Sequence, residues 1–481
     1  MRSFHANSLM MLLLAIIMVI VAFAGAASSP SPRNVNQLSQ WANQQGVVMH
    51  DSLQWKKAAA AANDGGESKD ADDDENNNDD DNIGLELKGS VPLGTVLLKV
   101  PRSIVFDAQC IRKEFEDENP DGRVQKALDK LAQSGFDQHR DGFFIFCKVL
   151  RCCQEGETSL WSPYIQSLPR HFIEFSNTEK NCLPFYAKYV ADYQEDKFKA
   201  FCDAAVESGL VESVVSSDDD NDDFNQARWA FCAISSRFWK TPLTEAGTAE
   251  IMKGNAPPGA TADATSELVP VGDMFNHREP PNVAITHEGD FVNFVYKGDD
   301  HGNVDVDGDD ITAAADTTKD LYITYGQPSN PHRFLGIFGF VPAVNDMPNV
   351  WSHVIYTDNP FTDYVENMVF RAEDGHVPKK VWDAVLYALL EPKHPPNEPP
   401  VFTDEQHTKY RTYTADVLQG HVTRQLEELS ALREKIKMIE AIGSSSYSDN
   451  TNNIPLIRQH NEFLTDVFTK EQKQVQDELN E

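Results

Sequence analysis

The spacing of apolar positions changes several times along this chain, and each change marks an element boundary. Residues 37–48 carry apolar side chains at helical spacing around Trp41, which predicts a short helix anchored by that ring. Ile83-Gly84-Leu85-Glu86-Leu87 and Thr95-Val96-Leu97-Leu98-Lys99-Val100-Pro101 are β-rich runs divided by Pro92-Leu93-Gly94, and they predict an antiparallel pair. From 110 to 240 the period is helical: Phe143, Phe144, Cys147 and Leu150 recur on one stretch, Phe185, Tyr189, Tyr193 and Phe201 on another. Residues 160–169 form a punctuated connector in that block, and 231–239 close it with aromatic bulk around Arg237. Strand character returns over 268–341, including the near alternation of Phe291-Val292-Asn293-Phe294-Val295-Tyr296. Residues 350–481 read as helical, with one long stripe through Leu418, Val422, Leu426, Leu429, Ile436 and Ile439. The order β, helical insertion (about 110–240), β, all-α tail defines an α+β chain.

Charge changes this picture in one respect. The formal net charge of −33 is unevenly spread: ten acids lie in 64–82, five in 214–223 and six in 298–310. These tracts have nothing to bury and read as solvated insertions, so 58–82 is expected to be a disordered acidic insertion and 298–310 a hairpin turn. The sign of the charge argues against nucleic acid as a partner, which requires a basic footprint. At the N-terminus Arg2 and His5 precede an apolar run from Leu9 to Ala27, so 1–27 reads as a secretory signal sequence ending at Ala22-Phe23-Ala24 or Ala24-Gly25-Ala26. The alternative is an uncleaved anchor, the one route to a membrane, since about 19 apolar residues nearly span a bilayer. Seven cysteines without disulfide spacing, and no Asn-X-Ser/Thr sequon, fit a chain that enters the secretory route and ends in a reducing compartment, such as an algal plastid reached through it; a lumenal or secreted end stays open.

Common catalytic and metal signatures are missing. Counting from Asn303, the Asp-rich stretch offers calcium ligands at the first, third and fifth loop positions, but Ala314 stands where a bidentate Glu belongs. No Cys follows Cys232, Cys152 and Cys153 are adjacent, and there is neither a Gly-rich phosphate loop nor a Gly-X-Ser-X-Gly elbow. The chain is therefore read without a metal. Two segments stand out instead: Gly272-Asp273-Met274-Phe275-Asn276-His277 and Tyr322-Ile323-Thr324-Tyr325-Gly326. Each sets polar groups among apolar residues, which is unfavourable unless the groups meet partners. Singly, His277, Tyr325 or Arg237 would pass for a satisfied structural residue, Arg237 by stacking on Trp239.

Taken in order, the motifs resemble those of the SET-domain protein methyltransferases, in the branch of the Rubisco large-subunit lysine methyltransferase and the actin-histidine methyltransferase. Asp81-Asn82-Ile83-Gly84-Leu85 resembles the family's Glu-Gly-X-Gly-Leu strand, with Asp-Asn in place of Glu-Gly. Trp161-X-Pro163-Tyr164 with Leu168-Pro169, then Trp229-Ala230 leading to Ser236-Arg237, continue the likeness. It culminates in Asp273-X-X-Asn276-His277 and in Tyr325-Gly326 with Ser329-Asn330 and Gly339-Phe340, where Asn330 to Gly339 is one residue longer than usual. The resemblance covers 36–343 and implies a SET-type β-fold with a large helical insertion, followed by a helical substrate-binding domain over 350–481.

It further implies that S-adenosyl-L-methionine binds one face and a target side chain of a protein substrate enters from the other. Asp81, Asn82, Ile83, Gly84, Arg237, Asp273, Asn276, His277 and Tyr325 would hold the cofactor, Tyr325 would also be the catalytic residue, and Ser236 and Phe340 would line the substrate channel. A monomer transferring methyl to a lysine nitrogen of a non-histone protein is the expectation. Histidine as acceptor, a SET-fold protein that binds without catalysing, and an acidic calcium buffer are the alternatives.

Overall fold

The structure, a computed structural model, describes residues 34–57, 83–211, 225–242, 264–298, 318–326, 329–351, 369–390, 401–443 and 452–480. The leader, the tract 58–82, Asp81 and Asn82 with it, and the calcium-like stretch all lie outside the described residues.

Helix α1 (Val35–Gln44) begins where the Asn34 side chain accepts from the Gln37 N–H, and it buries Leu38, Trp41 and Ala42. Five strands follow: β1 (Val48–Met49), β2 (Leu53–Lys57), β3 (Ile83–Lys88), β4 (Val96–Pro101) and β5 (Phe106–Asp107). Strands β3 and β4 do not pair with each other, contrary to the sequence expectation. Strand β3 lies between β11 (Thr318–Asp320) and β2, whereas β4 lies between β1 and β10 (Phe291–Tyr296), which also pairs with β9 (Val283–Glu288). The Pro/Gly turn does not fold back because β10 captures it: Gly94 N–H donates to Tyr296 O and Tyr296 N–H donates to Thr95 O, each at 2.9 Å. Strand β10 then pairs with β4 from Phe291 opposite Pro101 to Val295 opposite Val96.

The helical insertion comprises α2 (Ala108–Glu118), α3 (Arg123–Gln133), α4 (Arg140–Glu155), α5 (Ser162–Ser167), α6 (Phe185–Ser208) and α7 (Gln226–Arg237). Asp107 caps α2 by accepting from Gln109 and Cys110 N–H, and Asn225 caps α7 by accepting from Arg228 N–H. Helix α4 is buried on every side from Gly142 to Leu150, which its nearly unbroken apolar run requires, and it forms the centre of the main core. On α6 the aromatic stripe is split: Phe201 is buried, but Phe185 and Tyr189 are exposed. The helical block ends at Arg237, and Lys240 already lies in β6 (Trp239–Pro242), which pairs with β7 (Ala264–Leu268), itself paired with β5. Residues 331–338 are helical rather than extended, because Asn330 caps the turn by accepting from Arg333 N–H and Pro331 is pre-set for a first helical position.

Strands β13 (Asn349–Trp351) and β14 (Val369–Arg371) pair before α8 (Lys379–Leu390), α9 (Asp404–Gly443) and α10 (Ile454–Asn480), so the C-terminal part opens on a short ladder. Leu418, Val422 and Leu429 of α9 pack with Leu464 and Phe468 of α10 around Phe334 and Phe370. Leu335 ties this part to the insertion through Ala187 and Ala191 of α6. A polar clip adds to that contact: the buried Glu179 carboxylate accepts from Ser176 N–H and from both Asn453 N–H and Asn453 Nδ2. Among the described residues no helix is long and apolar enough to cross a membrane.

One group in this C-terminal core is unfavourably placed. Glu471 is fully buried, both its oxygens are without hydrogen-bond partners, and burial pushes its carboxyl well above the usual range. The folded state therefore keeps a proton that the unfolded chain releases, so stability falls as pH rises above the unfolded carboxylate range. Glu471→Gln is expected to gain stability over the wild type as pH rises above the unfolded carboxylate range. Urea unfolding of both chains from pH 4 to 7 checks this; a pH-independent difference would show that Glu471 ionises in the fold.

Candidate functional site

The two polar segments meet through one short pairing. Strand β8 (Asn276–His277) runs parallel to β12 (Tyr322–Ile323), with Tyr322 opposite Asn276 and Ile323 opposite His277. Before β8 the chain makes a single 3-10 turn, Gly272–Met274, entered through Val271 at φ 70°. Positive φ on a β-branched residue is strained by about 1–3 kcal/mol. Gly272 follows because the Phe294 ring occupies the space a Cβ would need. The turn drives the Asp273 side chain into the interior.

There Asp273 joins three elements. Its Oδ2 accepts from Tyr164 Oη of α5 at 2.8 Å and from Arg237 Nη1 at the end of α7 at 3.0 Å. Arg237 Nη1 also donates to Asp273 O at 2.9 Å, so Arg237 is committed to Asp273 rather than stacked on Trp239. Burial raises the Asp273 carboxyl, opposed by the Arg237 charge and the Tyr164 bond. For Arg237 burial acts downward, and the Asp273 charge beside it turns the net shift upward. Two polar atoms of the pair stay buried without partners: Asp273 Oδ1 and Arg237 Nε.

Tyr325 closes the other side. Its backbone N–H donates to His277 Nδ1 at 3.1 Å, and its hydroxyl donates to Phe275 O at 2.9 Å. Burial pushes the Tyr325 hydroxyl up to about 12, so it stays protonated at physiological pH. Burial pulls His277 down to about 4, so the imidazole is neutral; Nδ1 accepts from Tyr325, and Nε2 is buried without a partner. The His277 ring lies against Phe334 at 4.6 Å between centroids and against Tyr325 at 5.2 Å. Asn276 reaches over Gly84 of β3, where a Cβ would stand 2.7 Å from its Nδ2. Only glycine allows that approach.

These groups face one cavity of about 740 Å³, within the range of small-molecule and cofactor sites. Ile83, Ser236, Arg237, Asp273, Asn276, His277, Tyr325 and Phe340, all singled out in the sequence, line it; Gly84 stands behind Asn276. Ser236 bonds back to its own helix, donating to Cys232 O at 2.9 Å, so it presents a short polar wall. Sequence reasoning missed part of the lining. Phe338 packs on Tyr325 at 4.9 Å between centroids, His171 and Ile173 come from the loop after Pro169, and Asn453 and Leu456 come from the start of α10. Phe338 belonged to an apolar run that read as strand, and no local pattern marks the others.

The architecture is the SET-domain fold with its helical region, mixed in helix and sheet; the described strands form separate small sheets with no closed barrel. The crystal structure of the SET domain of LSMT bound to MeLysine and AdoHcy is similar, with a TM-score of 0.51 and 12% identity, over 94% of this chain and 93% of that one. The same domain bound to Lysine and AdoHcy gives a TM-score of 0.48 at 12% identity, covering 94% and 92%. Rubisco LSMT bound to AdoMet gives 0.47 at 12% identity, covering 94% and 93%. At such identity the likeness is one of fold. No protein-family profile and no curated protein matches the sequence.

The ion pair makes a quantitative expectation. Asp273→Ala leaves Arg237 buried without its counter-charge and should destabilise the chain by about 3–5 kcal/mol, whereas Asp273→Ala with Arg237→Met should recover much of the loss. Denaturant unfolding of the wild type, the two single variants and the double variant measures both effects; additive losses would show that the two groups do not pair.

Proposed function

We propose that this chain is an S-adenosyl-L-methionine-dependent protein methyltransferase of the SET type, in the branch of the Rubisco large-subunit lysine methyltransferase and the actin-histidine methyltransferase. Residues 36–343 would form the catalytic domain and 350–481 the substrate-binding domain, acting as a monomer on a lysine nitrogen of a non-histone protein. The observation that carries this reading is the β8/β12 pairing, which brings Asn276-His277 and Tyr325 to one cavity beside Arg237. Support also comes from the solved SET domain of LSMT, whose name records MeLysine and AdoHcy as its ligands.

The residues present fit the cofactor. Arg237 Nε and His277 Nε2 are buried polar atoms without protein partners, and Gly84 leaves the room that Asn276 uses. Arg237 would meet the cofactor's carboxylate, as a guanidinium can while its Nη1 stays on Asp273. Asn276, His277 and the Ile83-Gly84 backbone would hold the remainder; for Asp81 and Asn82 the proposal rests on sequence alone. When bound, the cofactor supplies an activated methyl group on a sulfonium.

The protein's part is alignment and desolvation. The Tyr325 hydroxyl spends its proton on Phe275 O, so its lone pairs are left to face the reacting centre. At about 12 it is too weakly acidic to ionise, and it therefore orients the acceptor rather than deprotonating it. The aromatic wall of Phe338 and Phe340 excludes water, which favours the neutral form of an entering lysine amine. Ordering the reactants in this way can be worth several kcal/mol.

Tyr325→Phe should lower methyl transfer by about 10²–10³-fold with cofactor affinity nearly unchanged. Transfer from labelled S-adenosylmethionine into cell extract, followed by mass-spectrometric mapping of the labelled residue, tests both reaction and acceptor. Wild-type turnover in the variant would remove Tyr325 from its role, and label on histidine would replace lysine as the acceptor.

A further inference from the structure

We propose that Tyr164 is a positioning residue for anion capture by Arg237, acting through the Asp273 carboxylate. The inference rests on the methyltransferase reading of the same cavity and adds a residue that does not line it. Tyr164 is completely buried on α5, and its ring is fixed by Trp41, stacked at 6.2 Å and 19°, and by Phe106 at 6.0 Å. So held, its hydroxyl has one partner within reach, Asp273 Oδ2 at 2.8 Å, the same oxygen that receives Arg237 Nη1.

With Tyr164 donating, Asp273 Oδ2 carries both side-chain hydrogen bonds and Oδ1 carries none. That contact, doubled by Arg237 Nη1 to Asp273 O, fixes by one nitrogen the guanidinium of a residue that lines the cavity and leaves its buried Nε without a protein partner. Without the Tyr164 hydroxyl, the buried carboxylate loses one of its two side-chain donors. It can recover one by rotating toward Arg237 Nε, the very group that a bound carboxylate would need. Tyr164 thus keeps Asp273 from occupying the edge of Arg237 that faces the ligand.

Tyr164→Phe retains the ring packing and removes only the donor. Calorimetry on the full chain with S-adenosylmethionine and with methylthioadenosine, which lacks the amino acid carboxylate, separates the roles. The expected result is about tenfold weaker S-adenosylmethionine binding, methylthioadenosine binding unchanged, and a raised cofactor KM at constant kcat. Equal loss for both ligands, or no loss for either, overturns the Tyr164 role. Wild-type chain that binds neither overturns the methyltransferase reading and the inference with it. Urea unfolding of Tyr164→Phe guards against a misfolded variant: a cooperative transition like that of the wild type shows that a selective loss of S-adenosylmethionine binding comes from the missing hydroxyl.

Discussion

Burying Asp273 beside Arg237 is the constraint on which the rest of this site depends. A lone charge at that depth is strongly unfavourable, and the pair is tolerable only if both partners arrive in register. Register requires three distant pieces of chain. The end of α7 brings Arg237, α5 brings Tyr164, and the strained turn after Val271 brings Asp273. The all-round apolar helix α4 packs against both α5 and α7 in the main core and so holds the insertion to the sheets. A polar interaction thereby sets the geometry, and the apolar core provides the free energy that makes it affordable.

Tyr325 is where that geometry reaches the second half of the molecule. It packs at once against the main core and against the C-terminal core built on Phe334 and α9. Its backbone is fixed by His277 and its hydroxyl by Phe275, so all its anchors lie on the short turn-and-strand segment that also carries Asp273. The C-terminal core reaches Tyr325 through Phe338, which in turn packs on Phe334. The Glu179 clip ties Asn453, which forms part of the cavity wall with Leu456, to the helical insertion.

The legible parts of the sequence were those where local chemistry and tertiary demand agree. Helix α4 followed from its unbroken apolar run, β10 from its alternation, and α9 from its stripe. Asp273, Asn276, His277 and Tyr325 stood out in the sequence as polar groups among apolar residues and through the resemblance of their motifs to a family, and the structure brings them to one cavity. Pairing was not legible. Strands β3 and β4 have the pattern of a hairpin, yet each pairs with an earlier strand, β2 or β1, and with one some two hundred residues later, β11 or β10, and only the captured turn at Gly94 reveals why. The Phe334–Phe338 turn was hidden likewise, because an aromatic-rich run of five suits strand and helix equally and the deciding cap, Asn330, lies outside it.

Electrostatics of the cavity differ in kind from those of the whole chain. The net charge of −33 would favour cationic partners at long range. Around Tyr325 the charges balance: Arg237 answers Asp273, His277 is neutral with a value of about 4, and Tyr325 keeps its proton. Asp346 adds one carboxylate to the same cavity wall. A basic group is thus attracted by the chain as a whole, and beside Tyr325 it meets the buried Arg237–Asp273 pair rather than a lone carboxylate. Burial there disfavours the charged form of an amine, so the acidic exterior and the balanced depth of the cavity act on a basic group in opposite senses.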